Sequence, residues 1–172
     1  PNEKQTPHLI FPGDKISIRY AHTDTLQMYV KGNTIRSNEL DFFRQLVRKT
    51  GNLYYFFTPM PYHQKVKDIQ ALKVSERMID SVRNDRLSFM DTYGKKYQIS
   101  KEFTKLATGI IHCTSIDDSL LLYHVNSDLL KKLNLYNDYV LAKVKDINKL
   151  DFQYNPMFLQ MAKHVAAMAT GT

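Results

Sequence analysis

Residues 86–123, RLSFMDTYGKKYQISKEFTKLATGIIHCTSIDDSLLLY, decide how this chain folds. Ser100-Lys101-Glu102 has the form of a helix start, a hydroxyl cap followed by an acid in the first turn. Behind it Phe103, Leu106, Ile110, Cys113 and Leu120 space out as one apolar stripe, which predicts a long helix. Gly109 and the β-branched pair Ile110-Ile111 weaken that helix without supplying a turn. Upstream, from Tyr62 to about Lys95, no turn signal interrupts Val66, Ile69, Leu72, Ile79, Val82, Leu87 and Met90, so a second long helix is expected, with Asn84 as the place for a break. The competing reading is a β-hairpin over Phe89 to Ile99 around Gly94, and it would overturn the helical one.

Toward the N-terminus, Pro12-Gly13-Asp14 is a turn, after which Ile16, Ile18 and Tyr20 alternate with polar residues. Leu26, Met28 and Val30 repeat that period after His22-Thr23-Asp24-Thr25, giving an antiparallel hairpin ended by Gly32-Asn33. Thr34-Ile35-Arg36 is read as a third short strand. Ser37 or Asn38 then caps a helix with Glu39 and Asp41 in its first turn, Leu40, Phe43, Leu46 and Val47 on one face, Arg44, Arg48 and Lys49 late, and Gly51 as its stop. Residues 52–58, NLYYFFT, are a strand or an extended connection. Toward the C-terminus, Ser127-Asp128 caps a short helix from Leu129 to Leu135, and Tyr136 to Ile147 is open between helix and strand. Asn155-Pro156 begins a last helix lined by Met157, Phe158, Met161, Val165 and Met168. The fold class is therefore α+β, mostly helical with about five helices and a small N-terminal β-hairpin. Residues 1–10 form a polar tail and 11–172 one domain, with the hairpin in 11–36 and the helical part in 37–172. One core is expected to hold Ile69, Leu72, Ile79, Phe103, Leu106, Ile110 and Leu120.

A chain of 172 residues buries roughly 70% of its unfolded surface, so it needs neither disulfide nor metal to close a core. With 43% hydrophobic and 24% charged residues it has a globular composition, and no apolar run approaches the ~18 residues of a spanning helix. The opening Pro1-Asn2-Glu3-Lys4-Gln5-Thr6-Pro7 lacks a methionine and reads as a tail, or as what remains after a leader or upstream segment is removed. A catalytic Pro1 would need a pocket at the start of a strand, and polar residues follow it instead. The net charge of +7 admits nucleic-acid binding if focused on one face. Lys65, Lys67, Lys73, Arg77, Arg83 and Arg86 instead alternate with Asp68, Glu76, Asp80 and Asp85, as on a solvated helix face.

Residues with catalytic or ligating chemistry are scattered. Cys113 is the single cysteine, so an internal disulfide is excluded; its apolar neighbours Ile110, Ile111 and Ile116 make it a core residue, and adjacent His112 faces away from it on a helix. No two of the six histidines have the spacing of a helical metal pair. His22-Thr23-Asp24 brings a base and a carboxylate together without a nucleophile, and a hairpin loop explains it as well. Asp117-Asp118 resembles a carboxylate pair, but neighbours on a helix diverge, so a solvated surface role is expected. No catalytic, cofactor-binding or metal residue is assigned. Tyr54, Tyr55 and Tyr62, with Phe56 and Phe57 between them, form the best partner-binding surface, and core packing is the alternative use of the same run.

Taken in order, PGDKISI, LQMYVKGN, NELDFFRQLV, RLSFMDTYGKKYQISKEF and LLLY resemble the region that precedes the thioredoxin domain in TlpA-like envelope proteins of Bacteroides-type bacteria. The likeness covers most of residues 11–158. It implies a non-catalytic accessory domain that binds a thioredoxin-like domain or another envelope protein, in a periplasmic or outer-envelope lipoprotein setting whose signal peptide is not part of this sequence. The paired cysteines of such a protein would lie beyond Thr172, so no catalytic residue carries over. A cytoplasmic protein with one reduced cysteine fits the cysteine count equally well. Two other function classes remain open: a basic nucleic-acid-binding domain using a face from Lys65 to Lys105, and a hydrolase built on His22 and Asp24.

Overall fold

The computed structural model describes residues 9–21, 25–51 and 62–147. Two antiparallel strands and five helices occur among them: β1 (Ile16–Ala21), β2 (Thr25–Val30), α1 (Thr34–Thr50), α2 (Ile69–Lys96), α3 (Lys101–Val125), α4 (Ser127–Lys132) and α5 (Tyr136–Ile147). The mostly helical α+β reading holds. So does the helical reading of residues 86–123, because α2 runs unbroken through Asn84 and Gly94. The last helix expected after Asn155 and the segment 52–58 lie outside the described residues.

The chain divides into two compact units, one formed by Pro1–Tyr54 with Asp85–Lys105 and the other by Tyr55–Asn84 with Leu106–Thr172. Of the residues expected to share one core, Phe103 falls in the first unit and Ile69, Leu72, Ile79, Leu106, Ile110 and Leu120 in the second.

In the first unit Ile16 pairs with Val30 and the register continues to Ala21 opposite Thr25. Gly13, at φ 91°, makes the turn that leads into β1, a backbone region that glycine enters without strain. Asn33 caps α1, its side chain accepting the Arg36 amide at 3.0 Å. Residues 34–36 are thus the first helical turn rather than a third strand, and Ser37 sits inside the helix, where its Oγ accepts from the Val30 amide at 3.0 Å. Gly51 ends α1 with its amide on the Val47 carbonyl at 3.0 Å. The helix buries Leu40, Phe42, Phe43, Leu46 and Val47. Phe42 is the centre of a ring cluster, with centroid distances of 5.0 Å to Phe43, 5.6 Å to Phe89, 5.1 Å to Tyr93 and 5.5 Å to Phe103. Ser100 caps α3 as expected, its Oγ accepting the Phe103 amide at 3.1 Å.

An ionic chain closes this unit. The Arg36 guanidinium donates to Asp14 Oδ2 at 2.7 Å and to the Leu9 carbonyl at 3.1 Å, and it pairs with Glu39. Glu39, only 1% exposed, accepts the Ser100 amide at 2.8 Å through its other oxygen. The Arg36 hydrogen bond outweighs burial and holds the Asp14 carboxyl below its ordinary range. For Arg36 itself burial opposes the charge, but the hydrogen bonds it donates to Asp14 and Glu39 outweigh it and raise the pKa. Phe11 stacks under the guanidinium, 4.3 Å from its ring centroid.

In the second unit α2 starts at Ile69 rather than Tyr62. Asp68 caps it, its Oδ1 accepting the Ala71 amide at 2.9 Å, and Asn126 satisfies the preceding loop by accepting from the Val66 amide at 2.8 Å and donating to the Gln64 carbonyl at 3.0 Å. Tyr62, Leu72, Ile79, Leu122, Tyr123 and Leu130 form the core, flanked by Ile69, Val82, Leu135, Tyr136 and Tyr139. Leu106 is only half-buried. The ambiguous stretch from Tyr136 is a helix, and Tyr139 meets Tyr123 edge-on at 5.1 Å.

Candidate functional site

Tyr54 and Tyr55 lie outside the described residues, as do His22 and Asp24. Tyr62 is 3% exposed and belongs to the core, so its ring packs rather than offering a docking face. Its hydroxyl donates to Asp118 Oδ2 at 3.3 Å, while His63 Nε2 stands 3.2 Å from Asp118 Oδ1 and the two rings meet at right angles with centroids 4.7 Å apart. Asp118 is therefore buried, not solvated. A carboxylate in an apolar interior requires such partners, and they come from a loop 55 and 56 positions away in sequence, which no helical spacing announces. Neighbouring Ser119 turns its hydroxyl back to the Ser115 carbonyl at 3.0 Å. The cluster pins residues 62–63 to α3.

Cys113 is fully buried, as its neighbours suggest; burial first, and then the Asp117 charge, push its thiol up to about 11. Burial, helped by the Arg83 cation, holds the His112 ring below its ordinary pKa. Tyr123 is likewise raised by burial and by its hydrogen bond to Glu76.

An open cleft of about 530 Å³ lies on the second unit, walled by Gln70, Lys73, Glu76, Arg77 and Asp80 of α2, by Ser119 of α3 and by Lys143 of α5. Glu76 is fixed from below by the Tyr123 hydroxyl, which donates to it at 2.6 Å. Asp80 pairs with Arg83 at 2.9 Å. Arg77 Nε donates to the Lys73 carbonyl at 3.3 Å. Sequence reading places these charges on a solvated face; that three helices converge on them follows only from the packing.

A second depression, of about 510 Å³, lies on the first unit between Arg44, Gln45, Arg48 and Lys49 of α1 and Phe89 of α2. Lys49 Nζ stands 5.6 Å over the Phe89 ring, and Arg44 pairs with Asp41 at 2.5 Å. Among the described residues no group of three or more His, Cys, Asp or Glu side chains is placed to hold a metal ion, and no helix is long and apolar enough to cross a membrane. Comparison with protein-family models, with curated proteins and with solved structures finds no match to this chain.

Proposed function

We propose that this chain is a non-catalytic accessory module that binds a partner within a cell-envelope thioredoxin-like protein. The observation that carries the reading is the ionic chain of the first unit. It joins Asp14 of the Pro-Gly-Asp turn, Arg36 and Glu39 of α1 and the Ser100 amide before α3; Asp14, Glu39 and Ser100 fall in three separate stretches on which the resemblance to TlpA-like proteins rests, and Arg36, which lies in none of them, links Asp14 to Glu39. The buried thiol of Cys113 supports an accessory role, since a redox centre needs an accessible thiolate.

The test is to read the parent gene beyond codon 172 for a thioredoxin-like segment with a Cys-x-x-Cys pair. The parent protein is then assayed for disulfide exchange with and without this module. Retained chemistry with altered partner choice is the expected outcome; a gene that ends at Thr172 sinks the reading.

The depression between Arg48, Lys49 and Phe89 favours a second reading, a basic nucleic-acid-binding module in which phosphates meet the cations and a base stacks on the ring. Single-stranded RNA or DNA should then bind with an affinity that falls steeply with salt. No binding at low ionic strength would dismiss it.

A further inference from the structure

The cleft on the second unit holds charges of both signs that its own helix leaves unmatched. Lys73 and Glu76, and likewise Arg77 and Asp80, stand three residues apart on α2, a spacing at which opposite charges on a solvated helix neutralise one another. They do not do so here. Asp80 pairs with Arg83, Glu76 takes the neutral Tyr123 hydroxyl, and among the described residues neither Lys73 nor Arg77 has a carboxylate partner. Lys143 reaches the same cleft from α5, with Asp146 Oδ2 4.0 Å from its Nζ.

A bare anion would find Glu76 in the wall, and a bare cation would find Lys73 and Arg77. A ligand carrying both charges meets each with its opposite. We propose that this cleft binds a short peptide by its free ends, the terminal carboxylate on Lys73 and Arg77 and the terminal ammonium on Glu76. The volume of about 530 Å³ is in the range of small-ligand sites. Gln70 adds an amide, able to both donate and accept, for the peptide bond. Tyr123 holds the Glu76 carboxylate in place before the ligand arrives, so the ammonium meets a preset acceptor. This site is independent of any thioredoxin-like partner.

The experiment is an amide-shift titration of the full chain by NMR at fixed ionic strength. The probes are L-alanyl-L-alanine, its C-terminal amide, its N-acetyl derivative and inorganic phosphate. The free dipeptide should give saturable shifts confined to residues near 70–80, 119 and 143, and each capped form should bind about tenfold more weakly, the loss expected for one charged hydrogen-bonded contact. The double variant Lys73→Gln with Arg77→Gln should erase the discrimination against the amide. Glu76→Gln, which keeps an acceptor for Tyr123, should erase the discrimination against the acetyl form. Arg48→Gln, on the other unit, should change nothing. The proposal falls if the free dipeptide gives no saturable shift or if the capped forms bind equally well. It falls too if phosphate binds as tightly, which would make the cleft a plain anion patch, or if Arg48→Gln weakens binding as much as the cleft variants do.

Discussion

The two units solve the same problem of closure with different materials. In the first, a cluster of rings around Phe42 excludes water, and one chain of ions, Asp14, Arg36 and Glu39, fastens the turn before β1, the start of α1 and the residue that caps α3. In the second, aliphatic residues such as Leu72, Ile79 and Leu122 share the interior with singly placed polar groups, each tied to a neighbouring element: Asn126 to the loop before α2, Asp118 to Tyr62 and His63, Tyr123 to Glu76. The comparison teaches that burial of polar side chains serves two ends. Linked in series, they staple distant stretches; placed singly, they fix the position of one loop or helix at a time.

The sharpest way to break this contrast is Phe42→Ala. Removing the central ring should cost about 3 to 5 kcal/mol, read by urea unfolding, with loss of amide protection in α1. A cost under about 1 kcal/mol would mean that the ring cluster does not close the unit. Leu72→Ala is the counterpart in the second unit, and at 0% exposure it should cost about 2 to 5 kcal/mol. Leu106→Ala, on a half-buried side chain, should cost clearly less than Leu72→Ala in the same measurement.

Glu39→Ala cuts the ionic chain in its middle and should cost about 3 kcal/mol, the low end for breaking a buried pair because Asp14 still holds Arg36. The same chain sets a pH dependence. The Asp14 carboxyl is depressed in the fold, so its contribution is present above the ordinary aspartate value of 3.8 and is lost as pH falls through the lower folded value. Acid titration of stability should therefore be shallower below pH 3.8 in Asp14→Asn than in the parent. Equal slopes would remove Asp14 from the chain.

Tyr123→Phe deletes a donor to a charged acceptor and should cost about 1.5 to 3 kcal/mol by thermal unfolding. The smallest effect has the opposite sign. Gly94 lies inside α2, and a Cβ there would meet only Ile99 Cδ1 at 3.5 Å, ordinary contact. Gly94→Ala should thus stabilise by about 0.4 to 1 kcal/mol; destabilisation would contradict a helix at this position.

Local signals made much of this architecture legible. Ser100-Lys101-Glu102 states a helix start in consecutive residues, and the strand period from Ile16 to Val30 is visible without knowing what it packs on. The start of α1 was hidden because Thr34-Ile35-Arg36 has strand-forming residues, and what settles it is the Asn33 cap together with the reach of Arg36 to Asp14. Glu39 reads as a helix-dipole acid, yet its buried role depends on an amide 61 residues away. Asp118 misleads for the same reason. The charged cleft was legible in composition only, since alternating charges on α2 say nothing of Ser119 and Lys143 facing them.

Cys113 has a practical consequence of its own. Its sulfur reacts with a modifying reagent only during those moments when α3 parts from its surroundings, because the closed state both covers it and keeps it protonated. The rate at which a thiol-specific dye marks the native protein is then a clock for that opening, with a single hand and no engineered probe.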